Sequence, residues 1–355
     1  MAVRPRRRCS DRVLRFAFQA LLGALALGLS GCAGDGSSAP PPPVEQVARQ
    51  LGRAGAASVI VFVSDHGREY VATAGIRRPS ADQRFRVGSV TKTFTATIVL
   101  QLAAEGRLRL SDTLERYLPG VVPDGKRITI RQLLNHRSGL ANVTDYTLWL
   151  ERASGSPSTR PIDILRFAAS HPLTFPPGSQ WRYSNTNYVA LGLVIEKATG
   201  HVYRQELEQR ILEPLGLEST ELPRTRLMPD LDDEGENPNV PWAAGAMVSN
   251  AQDLARFFSA LLSGRILSED SLAQMKQTVV VDPGASGDGL GIFSTELPCG
   301  RFWGHDGGIL DYGTIVKASE DGNRVAVISA HGGAPSGPPP DETALLCPSG
   351  ATTSR

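Results

Sequence analysis

Lysine is nearly missing from this chain: of 37 basic residues only Lys92, Lys126, Lys197, Lys276 and Lys317 are lysines. No basic run lies beyond residue 16 and the formal net charge is +1, so the electrostatic footprint of a nucleic-acid binder is absent. Cysteine is sparse too, with four in 355 residues. No Cys/His cluster has zinc-site spacing and no H-E-x-x-H occurs, so no metal is expected, and no motif requires a cofactor. The G-x-S-x-G elbow is missing, which argues against a Ser-His-Asp hydrolase built on His136 or His305. No internal repeat is present. What remains is ordinary globular composition, 41% hydrophobic and 21% charged, enough for one large domain or two intimate subdomains.

The first 32 residues read as a targeting segment. MAVRPRRRCSDRVLR is basic, and FAFQALLGALALGLS is apolar but too short for a comfortable membrane span. The run ends in L-S-G-C, which resembles a bacterial lipobox and marks Cys32 for lipidation; a plain secretory signal or a retained anchor are the alternatives. Residues 33–45, rich in Pro, Gly and Ser, then read as a tether. The expected location is the outer face of the cell membrane, held by a lipid anchor, or else the exterior. Export implies an oxidising compartment, where the remaining pair, Cys299 and Cys347, is expected to be bridged.

Strand signals lie at both ends. SVIVFVS (58–64), the turn DHGR, EYVATAG (69–75) and a short RFRVGS (84–89) come first; GLGIFST, CGRFWGH, TIVKAS and RVAVISA close the domain. FTATIVLQLAAEGRLRL (94–110) has helical spacing with Gly106 near its end. Helix signals dominate to about 240, and NAQDLARFFSALLSGRIL (250–267) is another helix. The expectation is an α+β fold: one antiparallel sheet built from 46–100 and 241–332, a helical insertion over 101–240, and a cleft between them. Residues 333–355 read as a proline-rich tail, held at Cys347.

Ser89 stands where strand gives way to helix. It reads either as a helix N-cap or as a nucleophile supported by the unpaired N–H groups and dipole of a helix start. Lys92, three residues on, falls on the same face, where burial and the helix start disfavour the ammonium and leave a base. Downstream, Y-S-N places Tyr183 and Asn185 on one side of an extended segment, a proton-transfer hydroxyl beside an amide. Further on, His305 stands at a strand end with Gly307 and Gly308 following, where substrate can approach the backbone closely. A capped helix start and a glycine-rich hairpin are the plain alternatives. His66, His171, His201 and His331 read as loop or turn residues.

With S-V-T-K at 89–92, Y-S-N at 183–185 and H-D-G at 305–307 in that order, the chain resembles the serine β-lactamase and penicillin-recognising DD-peptidase family, nearest its class C and exported D-alanyl-D-alanine carboxypeptidase branch. The resemblance extends over roughly 46–332, through RFRVGSVTKTF, ITIRQLLNHRSGL, YSNTNYVALGLVIEKATG and AAGAMVSNAQDLARFFSALLSG. It implies a sheet with helices on both faces. It implies an acyl-enzyme on Ser89, proton traffic shared by Lys92 and Tyr183, and Asn185 bonded to the substrate amide. His305 is implied to line the cleft and order the tyrosine hydroxyl, the N–H groups of Ser89 and Gly308 to form an oxyanion hole, and Trp242 to wall the cleft. The family's exported carboxypeptidases also carry a disulfide that suits Cys299 and Cys347.

Two departures bear on substrate. Phe293 stands where those carboxypeptidases place an arginine, and Asp306 and Gly308 replace hydroxyl residues. An acidic Asp306 in the cleft repels a carboxylate. The reading therefore favours an esterase or a relaxed amidase or peptidase over a D-alanyl-D-alanine carboxypeptidase or β-lactamase. An inactive lipoprotein binding module is the alternative of another class. The expected partner is a small-molecule or peptide substrate, and a monomer is expected.

Overall fold

A computed structural model describes residues 42–225, 228, 231, 237–282, 286–332 and 342–347, all within the unit Ala39–Arg355. The targeting segment with Cys32, and nearly all of the tether, lie outside the described residues.

Strand β1 (Ser58–Asp65) is a run of valine, isoleucine and phenylalanine, which suits a strand covered on both faces. It turns into β2 (Arg68–Ala74) through His66 and Gly67, with φ of 49° and 79°, as a two-residue primed turn requires. A separate pair, β3 (Phe85–Arg86) and β4 (Val248–Ser249), brings the serine segment against the end of the helical part. The remaining strands are β5 (Val279–Asp282), β6 (Ser286–Asp288), β7 (Phe293–Leu297), β8 (Gly300–Ile309), β9 (Tyr312–Ser319) and β10 (Arg324–His331). The main sheet runs β2-β1-β10-β9-β8-β7-β6-β5, antiparallel throughout, and β1 pairs with β10 from Ser58↔His331 to Asp65↔Arg324. That pairing joins the two ends of the domain into one sheet, as expected.

Alternation of side chains splits the core in two. Ile60, Phe62, Trp303, Val316 and Val327 belong to the large cluster shared with the helical part. Val59, Val61, Val63, Phe302, Ala326 and Ile328 belong to a smaller cluster. The smaller one is covered by α1 (Val44–Arg53) and a C-terminal helix (Glu342–Leu346). Helix α1 buries Val44, Val47, Ala48 and Leu51, the i, i+3, i+4, i+7 stripe of a surface helix, and starts inside the segment read as tether.

Between the strands, α2 (Thr91–Ala104) is buried on nearly every face, so it is the axis of the large core. It ends at Ala104 rather than 110: Gly106, at φ 72°, donates its N–H to the Ala103 carbonyl and turns the chain away. Helix α3 (Asn185–Thr199) and α4 (Trp242–Gly245) pack against it. RFRVGS does not add to the main sheet; its two-residue strand pairs with β4. CGRFWGH continues to Ile309, so His305 lies inside β8 and the turn falls at Leu310–Asp311.

Cys299 and Cys347 form a disulfide, 48 residues apart in sequence. It pins the C-terminal helix, whose Leu345 and Leu346 are buried, while Arg324 donates to the Leu346 carbonyl (2.9 Å) and to Asp65 (2.7 Å). Thiol titration of the unreduced, denatured protein is expected to leave both cysteines unreactive. By loop-closure entropy, replacing both with Ala costs about 4 kcal/mol; an unchanged denaturation midpoint contradicts this.

Candidate active site

The serine turn is built by backbone contacts. Val87 donates to the Met247 carbonyl, Gly88 takes φ 53°, and a single 3-10 turn (Gly88–Val90) leads into α2. Strand β8 lies hard against this turn. A Cβ on Gly88 would sit 2.8 Å from the Gly308 nitrogen, and one on Gly307 2.0 Å from the Val87 carbonyl oxygen. Only glycine permits that approach. Ser89 is not an N-cap: its side chain makes no cap bond to the helix backbone.

Its partners are Lys92 and Tyr183. Lys92 Nζ lies 2.9 Å from Ser89 Oγ, 2.8 Å from Asn185 Oδ1 and 2.6 Å from the Ala244 carbonyl. The lysine is wholly buried, with no carboxylate among these partners, and burial alone holds its pKa well below 10.5. The amide and carbonyl oxygens can only accept, so each takes an N–H of Lys92. In the neutral amine that burial favours, the third direction is a lone pair facing the serine hydroxyl. Tyr183 donates its O–H to Ser89 Oγ at 2.8 Å. Burial, aided by the charges of Asp288 and Asp306 and opposed by the Ser89 bond, keeps this phenol well above its ordinary pKa, hence protonated.

His136 supports this arrangement, a role the sequence did not reveal. Its ring packs 4.3 Å from that of Tyr183. Its Nδ1 accepts from the Ser184 N–H (3.2 Å) and from Asn187 Nδ2 (3.1 Å). Two donors on one nitrogen fix the tautomer, and burial drives the pKa far below 6.5, so the ring is neutral. His136 therefore acts as packing and acceptor, not as a base on Ser89. Asn185, first residue of α3, is held by Asn142 Oδ1 on its backbone N–H (2.9 Å) and by Thr144 Oγ1 near its amide (3.3 Å).

Three readings need correction. Trp242 does not wall the cleft; its ring packs 5.2 Å from Tyr203 and against Gly192, inside the helical core. Asp306 does not face the cleft: His305 points toward Tyr183 and Phe293, so the next residue of β8 points through the other face, where Asp306 pairs with Lys317 at 3.1 Å. His305 does not bond the Tyr183 hydroxyl. Its Nδ1–H donates to the Asp306 carbonyl (2.7 Å), its Nε2 is buried with no hydrogen-bond partner among the described residues, and burial pushes its pKa down to about 3. Phe293 stands edge-on to this ring, 5.0 Å away.

The cleft beside Ser89 holds about 220 Å³ and is lined by Ser89, Asn185, Gly308, Thr144 and apolar groups including Val143, Leu150, Val240, Pro241 and Ile309. Among the described residues, no charged side chain lines it.

The Beta-lactamase family model matches residues 44–346, and the chain belongs to that family of serine hydrolases. A penicillin-binding protein of Bacillus subtilis (strain 168) is 31% identical over 271 residues, 68% of this chain, which spans only 59% of that relative's length. Esterase EstB of Burkholderia gladioli is 39% identical over 154 residues, 38% of each chain. Among solved structures, a D-stereospecific amidohydrolase from Streptomyces sp. superimposes with TM-score 0.76 at 38% identity, over 80% of this chain and 93% of its own. A D-amino acid amidase from Ochrobactrum anthropi SV3 gives TM-score 0.70 at 26% identity, over 81% and 91%.

Gly307→Ala tests the backbone approach. The added carbon forces β8 away from Ser89, and turnover of p-nitrophenyl butyrate is expected to fall about 10²-fold for a displacement near 1 Å. Gly313→Ala, with nothing within 4 Å of its added carbon, is the control and should match the wild type. Equal rates for both variants contradict the role given to Gly307.

Proposed function

We propose that this chain is an exported serine hydrolase that acylates itself on Ser89 while cleaving esters or amides. One observation carries the reading: Ser89 Oγ lies within hydrogen-bond distance of a buried lysine amine and of a protonated phenol, 2.9 and 2.8 Å away. Oγ attacks the substrate carbonyl as its proton passes to Lys92 Nζ. The oxyanion is held by the N–H groups of Ser89 and Gly308, a contribution of about 3 kcal/mol per donor. The leaving amine or alkoxide takes the proton of Tyr183, and the proton that Lys92 accepted from Ser89 then restores the phenol, so that both groups end as they began. Water then attacks the acyl ester by the reverse path. Asn185 orients the substrate amide, and Phe293 and His305 bound the site from the sheet side.

The uncharged cleft supports an ester or amide whose leaving group carries no carboxylate. A carboxypeptidase for D-alanyl-D-alanine needs a cation there, and none of the described residues lining the cleft is one. The amidohydrolase and esterase likenesses point the same way. L-S-G-C before the tether and the Cys299–Cys347 bridge support export with Cys32 as the lipid-bearing residue.

Fluorophosphonate labelling of the purified protein is expected to vanish in Ser89→Ala; label persisting on that variant ends the mechanism. Lys92→Met should slow acylation by ~10²–10⁴-fold, the span of a lost general base. A group whose pKa burial lowers is lost as a base only when pH falls through the lowered value. The acid limb of the acylation rate should therefore lie far below pH 10.5 and disappear in Lys92→Met. For substrate class, p-nitrophenyl butyrate and an amino acid amide should be turned over faster than nitrocefin or a D-alanyl-D-alanine peptide. Preferential release of D-alanine contradicts the reading of the cleft.

A further inference from the structure

Asp288 is a buried carboxyl that the mechanism above does not use. It ends β6, is 1% exposed, and its Oδ1 is buried with no hydrogen-bond partner among the described residues. Its Oδ2 accepts from Trp181 Nε1 at 2.6 Å, across 107 residues of sequence. A single hydrogen bond is poor compensation for a buried carboxylate, so the position is costly for the fold and calls for an explanation.

Trp181 supplies one. It stands two residues before Tyr183. Both meet His136, Trp181 edge-on at 6.3 Å and Tyr183 at 4.3 Å, which makes a three-ring group with the phenol at one end. The indole N–H at the other end is fixed to the sheet by Asp288. Through β6 and β7 the tie continues: Asp288 pairs with Phe293, whose ring meets His305. The phenol over Ser89 is thereby located from the sheet as well as from α3.

We infer that Asp288 is a positioning residue for Tyr183, acting through its hydrogen bond to Trp181 and through its charge when ionised. The inference rests on the acyl-enzyme reading of Ser89. Tyr183 and Tyr188 are the titratable groups that feel the Asp288 charge, and it disfavours ionisation of both. His136, His305 and Lys92 are the other titratable groups facing Tyr183, and burial lowers the pKa of each, favouring the neutral form. Burial pushes the Asp288 carboxyl up to about 8, against the pull of the Trp181 bond, so its charge appears in the alkaline range. Above that pH the carboxylate opposes ionisation of the phenol and preserves the proton donor.

The test is the rate of Ser89 acylation by a fluorophosphonate from pH 6 to 10, in the full chain and in Trp181→Phe, Asp288→Asn, Asp288→Ala and Ser89→Ala, with thermal melts of each. Trp181→Phe, which keeps the ring and removes the donor, is expected to lower the rate about tenfold at pH 7, a modest misplacement of the reacting group. Asp288→Asn keeps an acceptor and should stay within about threefold of wild type at pH 7, within the context-dependence of one hydrogen bond. Its profile should lack the wild-type inflection near pH 8. Asp288→Ala should fall as far as Trp181→Phe if it folds; the other two variants decide the matter if it does not. A Trp181→Phe rate equal to wild type, or an inflection that survives in Asp288→Asn, overturns the inference. Labelling that survives Ser89→Ala instead overturns the reading beneath it, so the two failures are distinct.

Discussion

The site depends on a lysine that has been taken out of water. Lys92 Nζ has no carboxylate among its hydrogen-bond partners, and those partners are a hydroxyl, an amide oxygen and a carbonyl. A buried ammonium without a counter-charge is expensive, and the molecule resolves this by favouring the amine. The three partners come from three parts of the chain: Ser89 one turn away, Asn185 at the start of α3, and Ala244 in α4. Correct packing of α2, α3 and α4 is therefore a condition for the chemistry. Thr95 adds to it, donating to the Ala243 carbonyl at 2.7 Å, next to the carbonyl that Lys92 uses. Thr95 also shares a 2.7 Å bond with Tyr203.

The glycines at 88 and 307 solve the second problem, which is access. A nucleophile at the base of a core helix is useless unless backbone donors from the sheet reach it. Van der Waals contact between β8 and the serine turn leaves no room for Cβ atoms at these two positions. The cleft that results is small and largely apolar, and its described lining carries no formal charge, which selects by shape and hydrogen bonding rather than by ion pairing.

Much of this was legible in the sequence, for definite reasons. Ser89, Lys92, Tyr183 and Asn185 converge as their spacing implied, because i, i+3 on a helix and i, i+2 on an extended segment are fixed by backbone geometry. The strands β1, β2, β9 and β10 announced themselves through β-branched runs and turn residues. The errors trace to side-chain direction and to weak elements. The resemblance puts Asp306 where the carboxypeptidases carry a hydroxyl residue, but β8 runs on to Ile309 and alternation sends Asp306 to the opposite face. Trp242 lies in a four-residue helix whose orientation only tertiary packing sets. The short strands β5 and β6 carry little pattern, and α1 was masked by the proline run before it. His136 and Asp288 gave no local signal, since each matters through partners 40 or more residues away.

The central claim is that Lys92 is a neutral amine at the pH where the protein works, and NMR of lysine-selective ¹⁵N-labelled protein tests it directly. With five lysines in the chain the spectrum is simple, and the Lys92 signal is the one lost in Lys92→Met. At pH 8 its Nζ should carry the chemical shift of an amine and titrate only on acidification. An ammonium shift for Lys92 that persists to the ordinary lysine value of 10.5 contradicts the account.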